Sequence, residues 1–373
     1  MLFTIDRESL LNKLRIVEKI TIQKGIQPVL ANILFEVKDN ELTLSATDLD
    51  LYVVVKTSVV VKEEGKITLP AKKLVEIVSK LPDYPVEFSL NKETNIVKIK
   101  CGVAKFEVIG ISASEFPVQE EKFNSDEELT IDTAPFLKSI RSTTYAAAGY
   151  ENRNIISGVL FKLKDKKLEM AATDGNRLTR IIEEVKTENK NDTKIVIPSK
   201  TLQEISRIFS IVDDEQIQLF LGKAKILIRT NNVFLRSRLL EGEYPPYEQL
   251  IPKSTTYNVS LSRADLINSL ERVACMVSER TSIVRLEFSK NKLMLKAETP
   301  DAGTSEDELI CDFAGDDLTI SFNIKYVLDA IKAMESEKTV IGISGSSTAT
   351  VFKQDDTDNY ISLIMPMNPI QMR

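Results

Sequence analysis

Apolar and polar positions alternate with period two over short runs, and each such run gives way to the three-to-four spacing of a helix face. Leu2-Phe-Thr-Ile-Asp6 leads into Leu10, Leu11 and Leu14. Leu129-Thr-Ile-Asp132 leads into Phe136, Leu137 and Ile140, and Tyr257-Asn-Val-Ser-Leu-Ser262 into Leu266, Ile267 and Leu270. A second strand-to-helix pattern also occurs three times, as Ile67-Thr-Leu-Pro-Ala-Lys-Lys-Leu74, Ile195-Val-Ile-Pro-Ser-Lys-Thr-Leu202 and Ile320-Ser-Phe-Asn-Ile-Lys-Tyr-Val327. The periodicity predicts helices over 7–24, 71–80, 134–148, 199–209, 262–280 and 324–338. Between them lie short strands rich in Val, Ile, Leu and Phe, with turn signals such as Lys38-Asp-Asn40 and Lys164-Asp-Lys166. Strands in such close succession favour antiparallel meanders, which need only short turns, over crossover connections. The fold class expected is α+β.

The patterns repeat. Leu42-Thr-Leu-Ser-Ala-Thr-Asp48 returns 126 positions later as Leu168-Glu-Met-Ala-Ala-Thr-Asp174, where the following Gly175 can take the positive φ of a tight turn. Ser114-Glu-Phe-Pro117 likewise returns as Gly242-Glu-Tyr-Pro245. Three copies of about 125 residues account for the chain, and a repeat of that length is a domain able to bury its own core. The expected domains are 1–125, 126–252 and 253–373, with boundaries in the polar stretches Phe123-Asn-Ser-Asp126 and Pro252-Lys-Ser-Thr255.

Composition mostly excludes. The N-terminus lacks a basic-then-apolar leader, and no apolar run approaches the ~20 residues of a membrane span. Cys101, Cys275 and Cys311 are an odd number at spacings unlike a metal motif, as expected of a reduced, cytoplasmic protein. The chain has no histidine, which removes Ser-His and Cys-His nucleophile systems and the usual zinc-water sites. Neither a phosphate-cradling glycine loop nor a dinucleotide fingerprint is present, so no cofactor or metal is expected. Asp48 and Asp174 could be offered as a catalytic carboxylate pair, but an Asp at a turn usually bonds its own backbone.

Charge changes the picture. The net charge is −6, yet the six predicted helices hold 18 basic and 10 acidic residues, leaving −14 for the remainder. Charged helix faces are ordinary in any protein. Three like domains set in an arc would turn corresponding helices the same way, and a basic lining would then attract phosphates through charge alone.

Taken together, Pro28-Val-Leu-Ala-Asn-Ile33, Ala46-Thr-Asp48, Arg153 with Ser157-Gly-Val-Leu-Phe161, Ala172-Thr-Asp-Gly-Asn-Arg-Leu178, Glu243-Tyr-Pro-Pro-Tyr247 and Tyr360-Ile-Ser-Leu-Ile-Met-Pro-Met367 resemble the bacterial DNA polymerase III beta subunits, the sliding clamps. The resemblance covers the whole chain. It implies three repeated clamp domains and a head-to-tail homodimer closing a ring around double-stranded DNA. Such a protein tethers the replicative polymerase and is not an enzyme. Polymerase, clamp loader and repair proteins would bind through short peptides in an apolar groove. Carried over, its lining is Ile156, Thr173, Gly175, Arg177, Leu178, Pro245, Leu250, Leu363, Ile364, Met365, Pro366 and Met367. Leu, Ile and Met walls suit a peptide that buries its own Leu or Phe. Asn176 stands where the family often has His, Gln249 where a basic residue is common, and six residues follow Met367.

The family's DNA contact maps to Lys24, and Arg153 lies in a family motif. Helix placement adds Lys72, Lys73, Lys138, Arg141, Lys200 and Arg207. At the ring junction the resemblance sets Phe106 and Val108 against Cys275 and Met276. Lys73 and Lys105 would face the acidic run of Asp301, Glu306, Asp307 and Glu308. Competing expectations are a carboxylate or lysine hydrolase, a single-strand binder, and a scaffold that does not touch DNA. Aromatics make up 6% of the chain with no Trp, too few for a stacking platform.

Overall fold

A computed structural model describes residues 1–23, 25–117, 123, 125–149, 154–185, 192–212, 214–277, 282–299 and 302–367. Its contacts divide the chain into two compact units, Met1–Ile131 with Val212–Leu239, and Asp132–Ile211 with Leu240–Arg373. Among the described residues there are six α-helices: α1 (Arg7–Glu18), α2 (Ala71–Lys80), α3 (Thr133–Arg141), α4 (Ser199–Phe209), α5 (Arg263–Ala274) and α6 (Ile324–Lys332). With antiparallel sheets around them, the α+β class holds.

In the first unit α1 packs on α2. A five-stranded sheet runs in the order Val60–Glu63, Leu2–Ile5, Val86–Asn91, Ile96–Cys101, Ala104–Ile109. An eight-stranded sheet runs Glu127–Asp132, Gln216–Leu221, Lys225–Arg229, Val233–Arg238, Leu51–Ser58, Glu41–Thr47, Asn32–Lys38, Gly65–Pro70. Its middle seam, Val233–Arg238 against Leu51–Ser58, joins the second sequence copy to the first, with Leu235 opposite Val53 and Arg236 opposite Tyr52. The core stacks Phe88 between Phe3 at 5.0 Å and Phe35 at 6.0 Å. All three rings are fully buried, so each contributes roughly 1.5–3 kcal/mol of apolar burial.

In the second unit another eight-stranded sheet runs Thr193–Pro198, Gly158–Lys164, Lys167–Thr173, Arg177–Glu184, Tyr360–Ile364, Thr350–Gln354, Lys338–Ile343, Tyr257–Ser262. Its seam is the pairing of Leu178 with Leu363, the counterpart one copy on of Tyr52 with Arg236. A four-stranded sheet runs Gly303–Ile310, Lys292–Thr299, Ile283–Ser289, Leu318–Asn323. Helices pair again, α3 with α4 and α5 with α6.

The turn signals act as their chemistry dictates. Asp39 and Asn40 have φ of 48° and 58°, and Asp165 and Lys166 have 49° and 61°. Two consecutive positive φ values make the two-residue hairpin turn whose twist matches the strands it joins.

Four helices end earlier than their apolar spacing predicts. α1 stops at Glu18, not at 24: the β-branched run Ile20-Thr-Ile22 disfavours helix, and the Thr21 hydroxyl donates to the Glu18 carbonyl at 2.7 Å. α3 stops at Arg141, not at 148, where Ser142, Thr143 and Thr144 follow and the Thr143 hydroxyl donates to the Ser139 carbonyl at 2.7 Å. α5 ends at Ala274, not at 280, in a tightened turn in which the Met276 and Val277 amides reach only three residues back. α6 ends at Lys332, not at 338, because the Gln354 carboxamide oxygen takes the Glu335 and Ser336 amides at 2.9 and 3.2 Å. The charge bias survives the trimming: the observed helices hold 14 basic and 7 acidic side chains.

Candidate functional site

The seam of the second unit builds an apolar shelf. Lys167–Thr173 turns back as Arg177–Glu184, and Tyr360–Ile364 adds to it with Arg177 opposite Ile364. The turn wires itself. The Thr173 hydroxyl donates to the Arg177 carbonyl at 2.6 Å and accepts from the Gly175 amide at 3.1 Å. The Asp174 Oδ1 accepts from the Asn176 and Arg177 amides at 2.9 and 3.0 Å, so this aspartate is a turn residue, as its sequence context indicated. At Gly175 φ is 92°, which a side chain would strain.

The twelve groove residues fall into layers. Leu178, Leu363 and Thr173 are buried, and Leu178 and Leu363 join Leu160, Ala171, Val196, Val351, Tyr244 and Tyr247 in one cluster. Ile364 is fully buried, and Arg177 is held in ion pairs with 11% of its side chain accessible. Exposure is left to Leu250 at 62%, Met365 at 45% and Gly175, with Ile156, Pro245, Pro366 and Met367 half-buried. Two of the twelve are thus exposed apolar side chains, while Leu178 and Leu363 belong to the buried cluster.

Leu250 is carried by the single turn Tyr247–Leu250, which is pinned from below. The Tyr247 hydroxyl donates to Glu169, and the Lys162 Nζ lies 2.5 Å from Glu248 Oε1. Burial, then the hydrogen bond and charge of Glu169, push the Tyr247 hydroxyl far above its ordinary range. Burial opposes ionisation of Glu248, but the Lys162 hydrogen bond, a backbone hydrogen bond and the charges of Lys162 and Lys194 together outweigh it and hold the carboxyl low. Tyr244 and Tyr247 meet edge to face at 6.4 Å. Neither tyrosine was singled out from the sequence although both stand in Glu243-Tyr-Pro-Pro-Tyr247, and Val351 carries no local signal at all.

Behind the shelf is a cluster of buried hydroxyls. The Tyr145 hydroxyl lies 2.5 Å from that of Thr179, 2.7 Å from that of Tyr360 and 3.3 Å from that of Ser362. Tyr360 donates onward to the Ala330 carbonyl of α6 at 2.8 Å. Burial raises the pKa of both tyrosines.

The expected DNA-facing residues lie on the helices, apart from Lys24 and Arg153, which fall outside the described residues. Lys72, Lys73, Arg141 and Lys200 are exposed, and Lys138 and Arg207 are half-buried. Several are already paired: Lys73 with Glu76 at 2.7 Å, Arg207 with Glu204 at 2.7 Å, and Lys138 with Glu183 at 2.7 Å and Glu335 at 3.3 Å. Burial works against charge on Lys138, yet Glu183 and Glu335 outweigh it and hold its ammonium above the usual range. A cleft of about 320 Å³ opens beside Lys138 and Arg141, with Tyr145, Asp329 and Lys332 on its walls.

Each unit also has a sheet-edge strand that pairs on one side only among the described residues. Ala104–Ile109 is the outer strand of the five-stranded sheet and Gly303–Ile310 that of the four-stranded sheet. Phe106 is 37% exposed, while Val108 is buried at 6% and packs into its own sheet. Ile109 at 73% and Ile310 at 87% are the larger exposed apolar groups, and sequence reasoning passed over both. Lys105 and Cys275 are exposed and Met276 is half-buried. Glu306 pairs with Lys296 at 3.2 Å and Glu308 with Lys292 at 2.6 Å; Asp301 lies outside the described residues.

Family models described as the N-terminal, central and C-terminal domains of the DNA polymerase III beta subunit match residues 1–120, 130–246 and 248–368. The beta sliding clamp of Synechococcus elongatus is 32% identical, with 99% of each chain covered. The beta sliding clamp of Pseudomonas putida is 29% identical over 98% of this chain and 100% of its own. Among solved structures, the sliding clamp of Pseudomonas aeruginosa bound to griselimycin matches with a TM-score of 0.89 at 28% identity, covering 99% of each chain. The beta subunit of Thermotoga maritima matches with a TM-score of 0.90 at 27% identity, covering 98% of this chain and 99% of its own.

Proposed function

Since the chain belongs to the DNA polymerase III beta subunit family and is a sliding clamp, a processivity factor of DNA replication built from three clamp domains, we propose how its surfaces divide that work. Two copies close head to tail into a ring around duplex DNA, each with domains 1–125, 126–252 and 253–373. The Ala104–Ile109 edge of one copy meets the Gly303–Ile310 edge of the other. Phe106, Ile109 and Cys275, Met276, Ile310 supply contact at that junction, and Lys73, Lys105, Glu306 and Glu308 supply charge. The protein works in the cytoplasm as a tether and catalyses nothing.

We assign Lys24, Lys72, Lys73, Lys138, Arg141, Arg153, Lys200 and Arg207 to phosphate contact. Contacts of this kind hold a duplex by charge and let it slide, where base-specific contacts would stall it. Polymerase, clamp loader and repair proteins dock a short extended peptide on the shelf of the second unit. The observation that carries this reading is the buried cluster holding Leu178, Leu363 and Tyr247, with the exposed Leu250 and Met365 on the segments that carry Tyr247 and Leu363. Such a surface offers apolar area to a peptide's Leu or Phe, and Met adapts to different ligands. The relative solved with griselimycin supports a clamp surface that accepts a ligand.

Retention on DNA tests the ring. Loaded on a closed circle, the protein is expected to survive a high-salt wash and to be lost once the circle is cut. Equal loss from circular and linear DNA would leave only an electrostatic binder.

A further inference from the structure

The chain contains the same seam twice. In the first copy the Thr47 hydroxyl donates to the Leu51 carbonyl at 2.8 Å and accepts from the Leu49 amide at 2.9 Å. Asp48 Oδ1 accepts from the Asp50 and Leu51 amides at 3.2 and 2.7 Å. These are the bonds of the 173–177 turn, made by corresponding atoms. Across the seam the Arg238 amide donates to the Asp50 carbonyl at 3.1 Å, as the Met365 amide does to the Asn176 carbonyl at 2.9 Å. The neighbouring strands correspond too: Leu34 lies opposite Ser45 and Thr68, as Leu160 lies opposite Ala171 and Val196. By its backbone alone the chain would have two shelves.

The side chains differ. Tyr52 opposite Arg236 stands where Leu178 faces Leu363. Tyr52 shares a buried cluster with Val29, Leu34, Ala113 and Phe116, and its ring meets that of Phe234 edge to face at 6.5 Å. The Arg236 guanidinium is 5.9 Å from the centre of the Tyr52 ring, and the residue is buried. At the turn, the partly exposed Leu49 has φ of 78° where the second copy has Gly175. At the edge, Arg238 pairs with Asp50 at 3.6 Å in the places of Met365 and Asn176. An arginine keeps its proton throughout the range in which proteins stay folded. A peptide Leu or Phe seated at the first seam would strip the remaining water from that cation, and would find a phenol ring in the space that Leu178 leaves open in the second. Discrimination between two sites is a difference of affinities, and an unfavourable contact at one serves as well as a favourable contact at the other.

We propose that Tyr52 and Arg236 are specificity-determining residues that close the first seam to apolar peptides, so that each chain keeps one docking shelf instead of two. The proposal rests on the groove reading above and adds that two side chains in the first seam set the number of sites per chain.

The test counts how many copies of a short fluorescein-labelled peptide ending in Leu-Phe the full chain binds. Arg236→Met keeps the unbranched buried stem and removes the charge, whereas Arg236→Lys keeps the charge. Wild type and Arg236→Lys are expected to bind about one peptide per chain and Arg236→Met about two. In a Met365→Glu background, which disables the second seam, adding Arg236→Met should raise peptide affinity by at least about tenfold, placing the new site at the first seam. Tyr52→Leu/Arg236→Leu copies the pair with which the second seam folds, and answers the same question should Arg236→Met melt early. Two peptides per wild-type chain would overturn the proposal, as would a folded Arg236→Met or Tyr52→Leu/Arg236→Leu chain that still binds one. If wild type binds none and Tyr52→Leu/Arg236→Leu binds one, the closure stands and the groove reading falls; if neither binds, both fall.

Discussion

The Met365 amide donates to the Asn176 carbonyl at 2.9 Å, so the end of one strand and the tip of the neighbouring turn form a single backbone edge of the shelf. The Met365 side chain leaves that edge into solvent, whereas Leu178 beneath is 3% exposed. The two residues should answer differently to charge. Met365→Glu is expected to weaken a polymerase-tail peptide by at least about tenfold while moving stability by no more than about 0.5 kcal/mol. Leu178→Asp buries an unpaired carboxylate and should cost about 3 kcal/mol or more. Thermal melting beside peptide titration separates the two, and unchanged peptide affinity in Met365→Glu would remove the groove.

The hydroxyl cluster sets an alkaline limit. Tyr145 and Tyr360 both have their pKa raised in the fold by burial, so the neutral phenols are the stabilised forms. Their contribution is fully present below the unfolded tyrosine range near pH 10 and is lost as pH rises beyond it. Melting temperature should fall steeply above about pH 10, and less steeply in Tyr360→Phe, which has one phenol fewer to ionise. That variant should also cost about 1–2 kcal/mol at neutral pH, because the Ala330 carbonyl loses its donor. A melting profile indifferent to pH up to 11 would contradict the account.

For the junction, Ile109→Lys or Ile310→Lys should shift the chain to monomer in sedimentation at micromolar concentration. Each puts a charge where an edge would meet apolar surface. A dimer that persists in both variants would place the junction elsewhere.

Among the basic residues, Arg141 and Lys138 are predicted to part company. Lys138 is tied to Glu183 and Glu335, and Glu183 is itself 16% exposed at its side chain. Lys138→Ala should lower stability by about 1 kcal/mol and reduce the salt slope of DNA binding by less than Arg141→Ala does, its charge being shared with Glu183 and Glu335. Arg141→Ala should leave stability unchanged and reduce the logarithmic salt slope of DNA binding by about 0.9, one phosphate's worth.

The repeat, the strand-then-helix order and the hairpin turns were legible because each is a local matter of spacing and turn chemistry. Asp39-Asn40 and Asp165-Lys166 are such cases. The helix ends were less so, since Thr21 and Thr143 divert hydrogen bonds that apolar periodicity does not register. The site was legible as a set of motifs and not as a surface. Arg177 sits in a recognisable motif, but Asp329, its second carboxylate, is 152 residues away. Ile109 and Ile310 each follow an apolar neighbour, Val108 and Leu309, and so fall on the otherwise polar face of their strands; that both strands are sheet edges shows only in the sheet order.

The seam at Leu51–Ser58 and Val233–Arg238 means that the repeat is a unit of ancestry and not of autonomy. A fragment cut at residue 125 would open that ladder and bare the row of N–H and C=O groups of the strand holding Tyr52, Val53 and Val55. Excised copies should therefore cling to one another or precipitate, and anyone wishing to dissect this chain would do better to cut along its sheets than along its repeats.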